Sequence, residues 1–124
     1  MGLFRRNKNI KKPVIRQIID LVPRWMIESC SKKHNSDKGC SKYKTYDQFV
    51  ALTYGQLNKC YTLNDISTGI GVSEIFIGDL GLNQSPARST MSDGNKKRDW
   101  KVFESLYYKV LNHYQRILKS ESER

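Results

Sequence analysis

A chain of 124 residues with a net charge of +10, from 22 Lys+Arg against 12 Asp+Glu, has room for one domain and one core. Its hydrophobic content of 38% is too high for a disordered chain, no stretch reaches the roughly 20 apolar residues of a membrane span, and the basic start is not followed by the apolar run of a signal peptide. The cysteines, Cys30, Cys40 and Cys60, are odd in number and form no CxxC pair, which argues against a secreted disulfide framework and for a reducing cytoplasm; the positive balance calls for a polyanionic partner.

Residues 1–12, MGLFRRNKNIKK, lack an apolar period and read as a flexible basic arm carrying Arg5, Arg6, Lys8, Lys11 and Lys12. Pro13 suits a first helical turn, and Val14, Ile15, Ile18, Ile19 and Val22 follow at helical spacing. Pro23 restarts the chain, and Trp25, Met26, Ile27 and Cys30 predict a second short helix. The polar stretch NSDKGCSKYK over 35–44 reads as a loop. Thr45 and Gln48 have the spacing of a capping box for a helix over about 46–60. Thr62 caps a short helix over 63–70, Ser73 caps another over about 74–80, and Ser85-Pro86 opens a further helix that runs to about Lys97. The strongest period is the last one: Trp100, Phe103, Leu106, Tyr107, Val110, Leu111, Tyr114, Ile117 and Leu118. No alternating strand and no repeat is present. The expectation is an all-α, compact bundle of six or seven helices containing a helix-turn-helix-like unit, with a domain over 13–119 and a polar tail over 120–124.

Charge is uneven along this plan: residues 1–44 carry +9, residues 45–84 carry −3 and residues 85–124 carry +4. The middle reads as a packing scaffold with binding elements on its flanks. Within it, TLNDISTGIGVSEIFIGDLGL over 62–82 has the layout of a helix-turn-helix, with Gly71 and Val72 in the turn. The second helix of such a unit ordinarily reads the major groove. Here it is Glu74 to Leu80, with two acids and no Lys or Arg, so it is expected in the core. The next segment has the opposite chemistry. Arg88 can bridge guanine acceptors, Asn95 can pair with adenine, and Ser89, Thr90 and Ser92 offer short hydrogen bonds. Lys96, Lys97 and Arg98 suit phosphates. The reading helix is therefore placed at about 87–98, with Arg5, Arg6, Lys8, Lys11 and Lys12 of the 1–12 arm and Lys32, Lys33, Lys38, Lys42 and Lys44 as further phosphate contacts.

The succession KTYDQFVALTYGQL, TLNDISTG, Leu80-Gly81 and then ARSTMSDGNKKRDWKVFESLYY resembles the N-terminal domain of bacterial insertion-sequence transposases of the DDE type. The resemblance covers about residues 12–118. It implies recognition of double-stranded DNA at terminal inverted repeats, with contacts from Arg88, Ser89, Thr90, Ser92, Asn95, Lys96, Lys97 and Arg98. It also implies a homodimer, since transposases pair two element ends. The family's catalytic carboxylates belong to a following domain, so this stretch is not expected to cut or join DNA. Gly94 departs from the better helix former expected in that block.

Other chemistries are weaker. Asp47, Asp65, Glu74, Asp79, Asp93, Asp99 and Glu104 suggest no convergent pair for two-metal catalysis. Cys30 and His34 share a helix face and Cys40 and Cys60 could join them, but zinc pairs are spaced more tightly. No cofactor loop, small-molecule substrate or nucleophile–base pair is indicated. Two alternatives to sequence-specific DNA binding remain open: an oligomerisation module using 74–80 and 100–118, with Phe103, Tyr107, Val110, Tyr114 and Ile117 as a heptad seam, and a nucleic-acid binder acting by charge alone.

Overall fold

The computed structural model describes residues 13–122; the basic arm expected over 1–12 lies outside them. Seven helices and no strand are present among the described residues. Pro13 and Pro23 occupy the N-cap positions of α1 (Val14–Ile19) and α2 (Arg24–His34). Each proline holds its φ near the value a helix entry needs. Asn35 closes α2 in the left-handed region at φ 52°, a conformation asparagine adopts more readily than most residues.

Helix α3 (Thr45–Leu57) lies against α1, α2 and α4. Val50 and Ala51 on it have no exposed surface. Its entry differs from the expected capping box. Lys44 is the N-cap residue, and Asp47 accepts the Lys44 amide at 2.9 Å. Thr45 is instead buried inside the first turn, where its amide and hydroxyl both donate to Asp37. Gln48 is also buried rather than reaching back to the cap.

Helix α4 (Leu63–Ile70) and helix α5 (Glu74–Asp79) form the expected helix-turn-helix layout. The hydroxyls of Thr62 and Ser73 accept the amides of Asp65 and Phe76 at 3.1 and 3.0 Å, each meeting one orphan donor at a helix start. Beyond α5 the chain turns at Gly81, φ +75°. A Cβ there would stand 2.7 Å from the Tyr46 hydroxyl oxygen, which itself donates to the Leu80 carbonyl at 2.9 Å.

Helix α6 (Arg88–Lys97) packs against α4, with Met91 buried in the joint. Ser85 does not cap it. The Ser85 hydroxyl donates to the Ser67 carbonyl at 2.7 Å and ties the approach loop to α4. Helix α7 (Lys101–Ser122) lies along α2 and continues into the stretch read as a polar tail. Its inner face holds Val102 and Leu106, with Phe103 and Val110 half-buried against the core. The Tyr114 hydroxyl donates to the Leu21 carbonyl. Most of the predicted heptad seam is thus used inside the domain.

Candidate nucleic-acid interface

A helix turns by about 100° per residue, so positions i, i+4 and i+8 line one face. On α6 this places Arg88, Ser92 and Lys96 together, with Ser89 beside them. Arg88, Ser89 and Lys96 are exposed and Ser92 is half-buried. Arg88 makes no hydrogen bond or ion pair among the described residues, so its guanidinium is available. Lys97 is exposed but bonds Asp93 at 3.0 Å, which tempers its charge. Thr90 is half-buried at the edge of this face. Asn95 is exposed as a residue, but its side-chain oxygen accepts from Gln48 Nε2 at 2.8 Å. It therefore reaches a partner only through its amide nitrogen.

Arg98 was expected at phosphates and is not available to them. Its side chain is 3% exposed. Nη1 donates to Gln48 Oε1 at 2.6 Å, Nη2 to the Tyr43 carbonyl at 2.6 Å, and Nε to the Ser36 carbonyl at 3.2 Å. The Cys40 sulfur and an Asp37 carboxylate oxygen stand 3.4 and 3.7 Å from Nη2. The physical reason is the helix period. The backbone that turns Lys96 outward turns Arg98 toward the domain, where the 36–43 loop supplies a ring of acceptors.

That ring orders the loop. Asp37 receives the Ser31 hydroxyl at 2.8 Å and the Thr45 amide and hydroxyl at 2.6 and 2.7 Å. Burial alone would raise the Asp37 pKa, but the hydrogen bonds from Thr45 and Ser31, with the Arg98 charge, hold it below the usual carboxylate value. Asp47 goes the other way: burial raises it, and the Lys44 amide and the Arg24 and Arg98 charges only partly offset this. Tyr43 lies beneath the guanidinium, 5.6 Å from its ring centroid. Burial pushes the Tyr43 phenol up to about 12, against the opposing charge of Arg98, and its buried hydroxyl has no hydrogen-bond partner. Gly94 is explained here. A Cβ on it would meet the Tyr43 ring at 2.6 Å, so the absent side chain lets α6 close onto the loop.

Between α6 and the loop is an open cleft of about 610 Å³, lined on one lip by Thr90, Asp93 and Lys97 and on the other by Lys38, Ser41 and Lys42. Lys44 is exposed at the start of α3, and Lys32 and Lys33 are exposed on the last turn of α2, outside this cleft. The structure thus brings Arg88, Ser89, Ser92 and Lys96 together on one face, places lysines across a cleft from that helix, and removes Arg98. Arg5, Arg6, Lys8, Lys11 and Lys12 lie outside the described residues. Asp37, Tyr43 and Gln48 were missed as partners of this site. The one signal in the sequence was Asp37, a lone acid in a basic loop.

The stretch Glu74 to Leu80 is a core element only in part: Leu80, the C-cap of α5, is fully buried, but the helix itself is not. None of its residues is buried, Ile75 is 79% exposed, and only Phe76 and Ile77 pack part of their surface against the core. Its six residues carry three bulky apolar side chains, and the fourth of the 74–80 stretch, Leu80 at the C-cap, is fully buried. Among the described residues no three His, Cys, Asp or Glu side chains gather as metal ligands. His34 Nε2 lies 2.6 Å from the Ser105 hydroxyl, and Cys30 is buried, where burial raises its pKa.

No curated protein and no solved structure matches the chain. The model of one family, described as a domain of unknown function (DUF4372), matches residues 10–81, which reach from ahead of α1 to just past α5. That is more than half of the chain, and the chain belongs to this family.

Proposed function

We propose that the domain binds double-stranded DNA in a sequence-specific manner, as the part of an insertion-sequence transposase that recognises terminal inverted repeats. The supporting observation is the outward face of α6, where an unpartnered Arg88 shares one line with Ser92 and Lys96. A guanidinium with free donors can bridge two guanine acceptors, short hydroxyls reach base edges or phosphates, and a lysine adds phosphate affinity. Lys38 and Lys42 stand on the far lip of the cleft, where a second run of phosphates would pass. The domain positions DNA and performs no chemistry on it.

The test is selection of binding sites from random duplexes at physiological salt. A shared motif should emerge, and Arg88→Ala should relax the preference at one base pair, losing about 1–3 kcal/mol there. Failure to enrich any motif, or equal losses on selected and random DNA, refutes base readout and leaves binding by charge alone.

A further inference from the structure

We infer that a second, smaller pocket beside α6 receives a single pyrimidine base turned out of the stack of a DNA strand. The pocket holds about 160 Å³ between the 41–43 loop, the first turn of α3, the 83–86 loop and α6. Tyr43 and Pro86, both buried, form its apolar walls, and Asp47, Asn83, Gln84 and Thr90 supply polar ones. The fold leaves these polar groups unused. Among the described residues the side chains of Asn83, Gln84 and Thr90 make no hydrogen bond, Asp47 accepts only the Lys44 amide, and the buried Tyr43 hydroxyl has no partner. Folded proteins pair nearly all of their buried polar groups, so several unused ones around one cavity mark a site for a polar ligand.

Size and chemistry select that ligand. A cavity of about 150 Å³ holds one benzene-sized ring, so this pocket admits a one-ring base and crowds a purine. A carboxamide offers both a donor and an acceptor, which lets Asn83 and Gln84 pair along the edge of a pyrimidine, and a carboxylate such as Asp47 accepts from a cytosine amino group. The same carboxylate disfavours an anion in the pocket. The phosphate has its own place, because Lys42, Tyr43 and Thr90 line both this pocket and the larger cleft, so the two spaces adjoin. A nucleotide with its base in the pocket leaves its phosphate in the cleft among Lys38, Lys42 and Lys97. The inference rests on the proposed DNA binding and adds to it a base read outside the groove.

The test is equilibrium binding of the whole chain, by fluorescence anisotropy at physiological salt, to three duplexes of one sequence: fully paired, carrying one unpaired cytosine, and carrying one unpaired adenine in its place. The unpaired cytosine should raise affinity about tenfold over the paired duplex, since extrusion is easiest for a base that is already unpaired. The unpaired adenine, which loosens the duplex in the same way, should not. Asn83→Ala and, separately, Gln84→Ala should each bring the cytosine preference down toward unity with unchanged helical circular dichroism, since both side chains are exposed. Deoxycytidine monophosphate should compete only weakly; competition as effective as that of the cytosine duplex assigns the pocket to a free nucleotide and overturns the strand as its source. Equal affinity for all three duplexes, an equal gain from adenine, or a cytosine preference that both substitutions leave intact overturns the inference while DNA binding stands. Binding to none of the three overturns the proposed function and the inference with it.

Discussion

Replacing Arg98 by methionine separates a structural arginine from a DNA-contacting one. Methionine keeps much of the stem and removes every donor. Three hydrogen bonds from the guanidinium are lost, short ones to Gln48 and Tyr43 and a longer one to Ser36, along with the charge facing Asp37. Hydrogen bonds to charged groups contribute about 1.5–3 kcal/mol each, but these share one guanidinium and do not add independently. Breaking a buried ionic cluster by removing one partner costs about 3–5 kcal/mol, because the remaining acceptors stay desolvated. For a domain of this size each kcal/mol moves the melting midpoint by about 4 °C, so a fall of about 12–20 °C is expected. Arg98→Lys should recover only a part, since one ammonium cannot reach acceptors held around a planar fork. The assays are thermal melting and urea titration, run beside DNA binding as a function of salt. A loss of stability below about 1 kcal/mol, with the salt slope lowered by about 0.9 as for one lost phosphate contact, would refute the burial argument.

The carboxylates near this cluster should respond oppositely to pH. The folded-state pKa of Asp37 is depressed, so its contribution is present above the unfolded value and lost as pH falls through the folded one. Asp37→Asn should therefore flatten the acid limb of stability measured by urea titration. Asp47 is raised, so its contribution is present at low pH and lost as pH rises through its folded value; Asp47→Asn should remove that decline, and a steeper one speaks against it. Tyr43→Phe deletes a buried hydroxyl that has no partner. It should be neutral or stabilising by about 1 kcal/mol and should abolish the phenol that titrates near 12 in an ultraviolet titration. Gly81→Ala meets both a left-handed backbone at φ +75° and the Tyr46 hydroxyl. It should destabilise by about 1–3 kcal/mol in denaturant titration, and a neutral result means the turn is free to change its conformation.

The helical plan was legible because its signals are local. Thr62 and Ser73 cap the helices they were expected to cap, Pro13 and Pro23 stand at helix entries, and the period of α7 runs unbroken. The errors have a shared physical origin: they concern side chains whose partners are distant in the chain. Thr45 could equally serve a cap or a carboxylate eight residues back, and only folding chose Asp37. Gln48 looked like a capping residue and instead bridges Asn95 and Arg98, 47 and 50 positions away. Gly94 looked like a weak helix former, and its role becomes visible only when the Tyr43 ring lies against it. The composition of the 74–80 stretch suggested burial throughout, yet only Leu80 at the C-cap is fully buried, Phe76 and Ile77 pack in part, and Ile75 faces outward.

The same consideration limits what a run of basic residues says about an interface. Lys96, Lys97 and Arg98 are adjacent in sequence, but successive residues on a helix diverge by about 100°, so three in a row cover most of the circumference. A helix packed against a domain on one side cannot present all three to a partner on the other. One of them must lie over the core or be drawn into a buried network, and α6 resolves this by turning Lys96 outward, pairing Lys97 with Asp93, and burying Arg98. Charge that can meet a phosphate is set by the four-residue spacing, Arg88 to Ser92 to Lys96, and not by the density of the run. A surface cation on that line can be lost at little cost to the fold, whereas Arg98 cannot. Binding and stability should therefore separate cleanly between Arg88→Ala and Arg98→Met, the first changing affinity with the fold intact and the second changing the fold first.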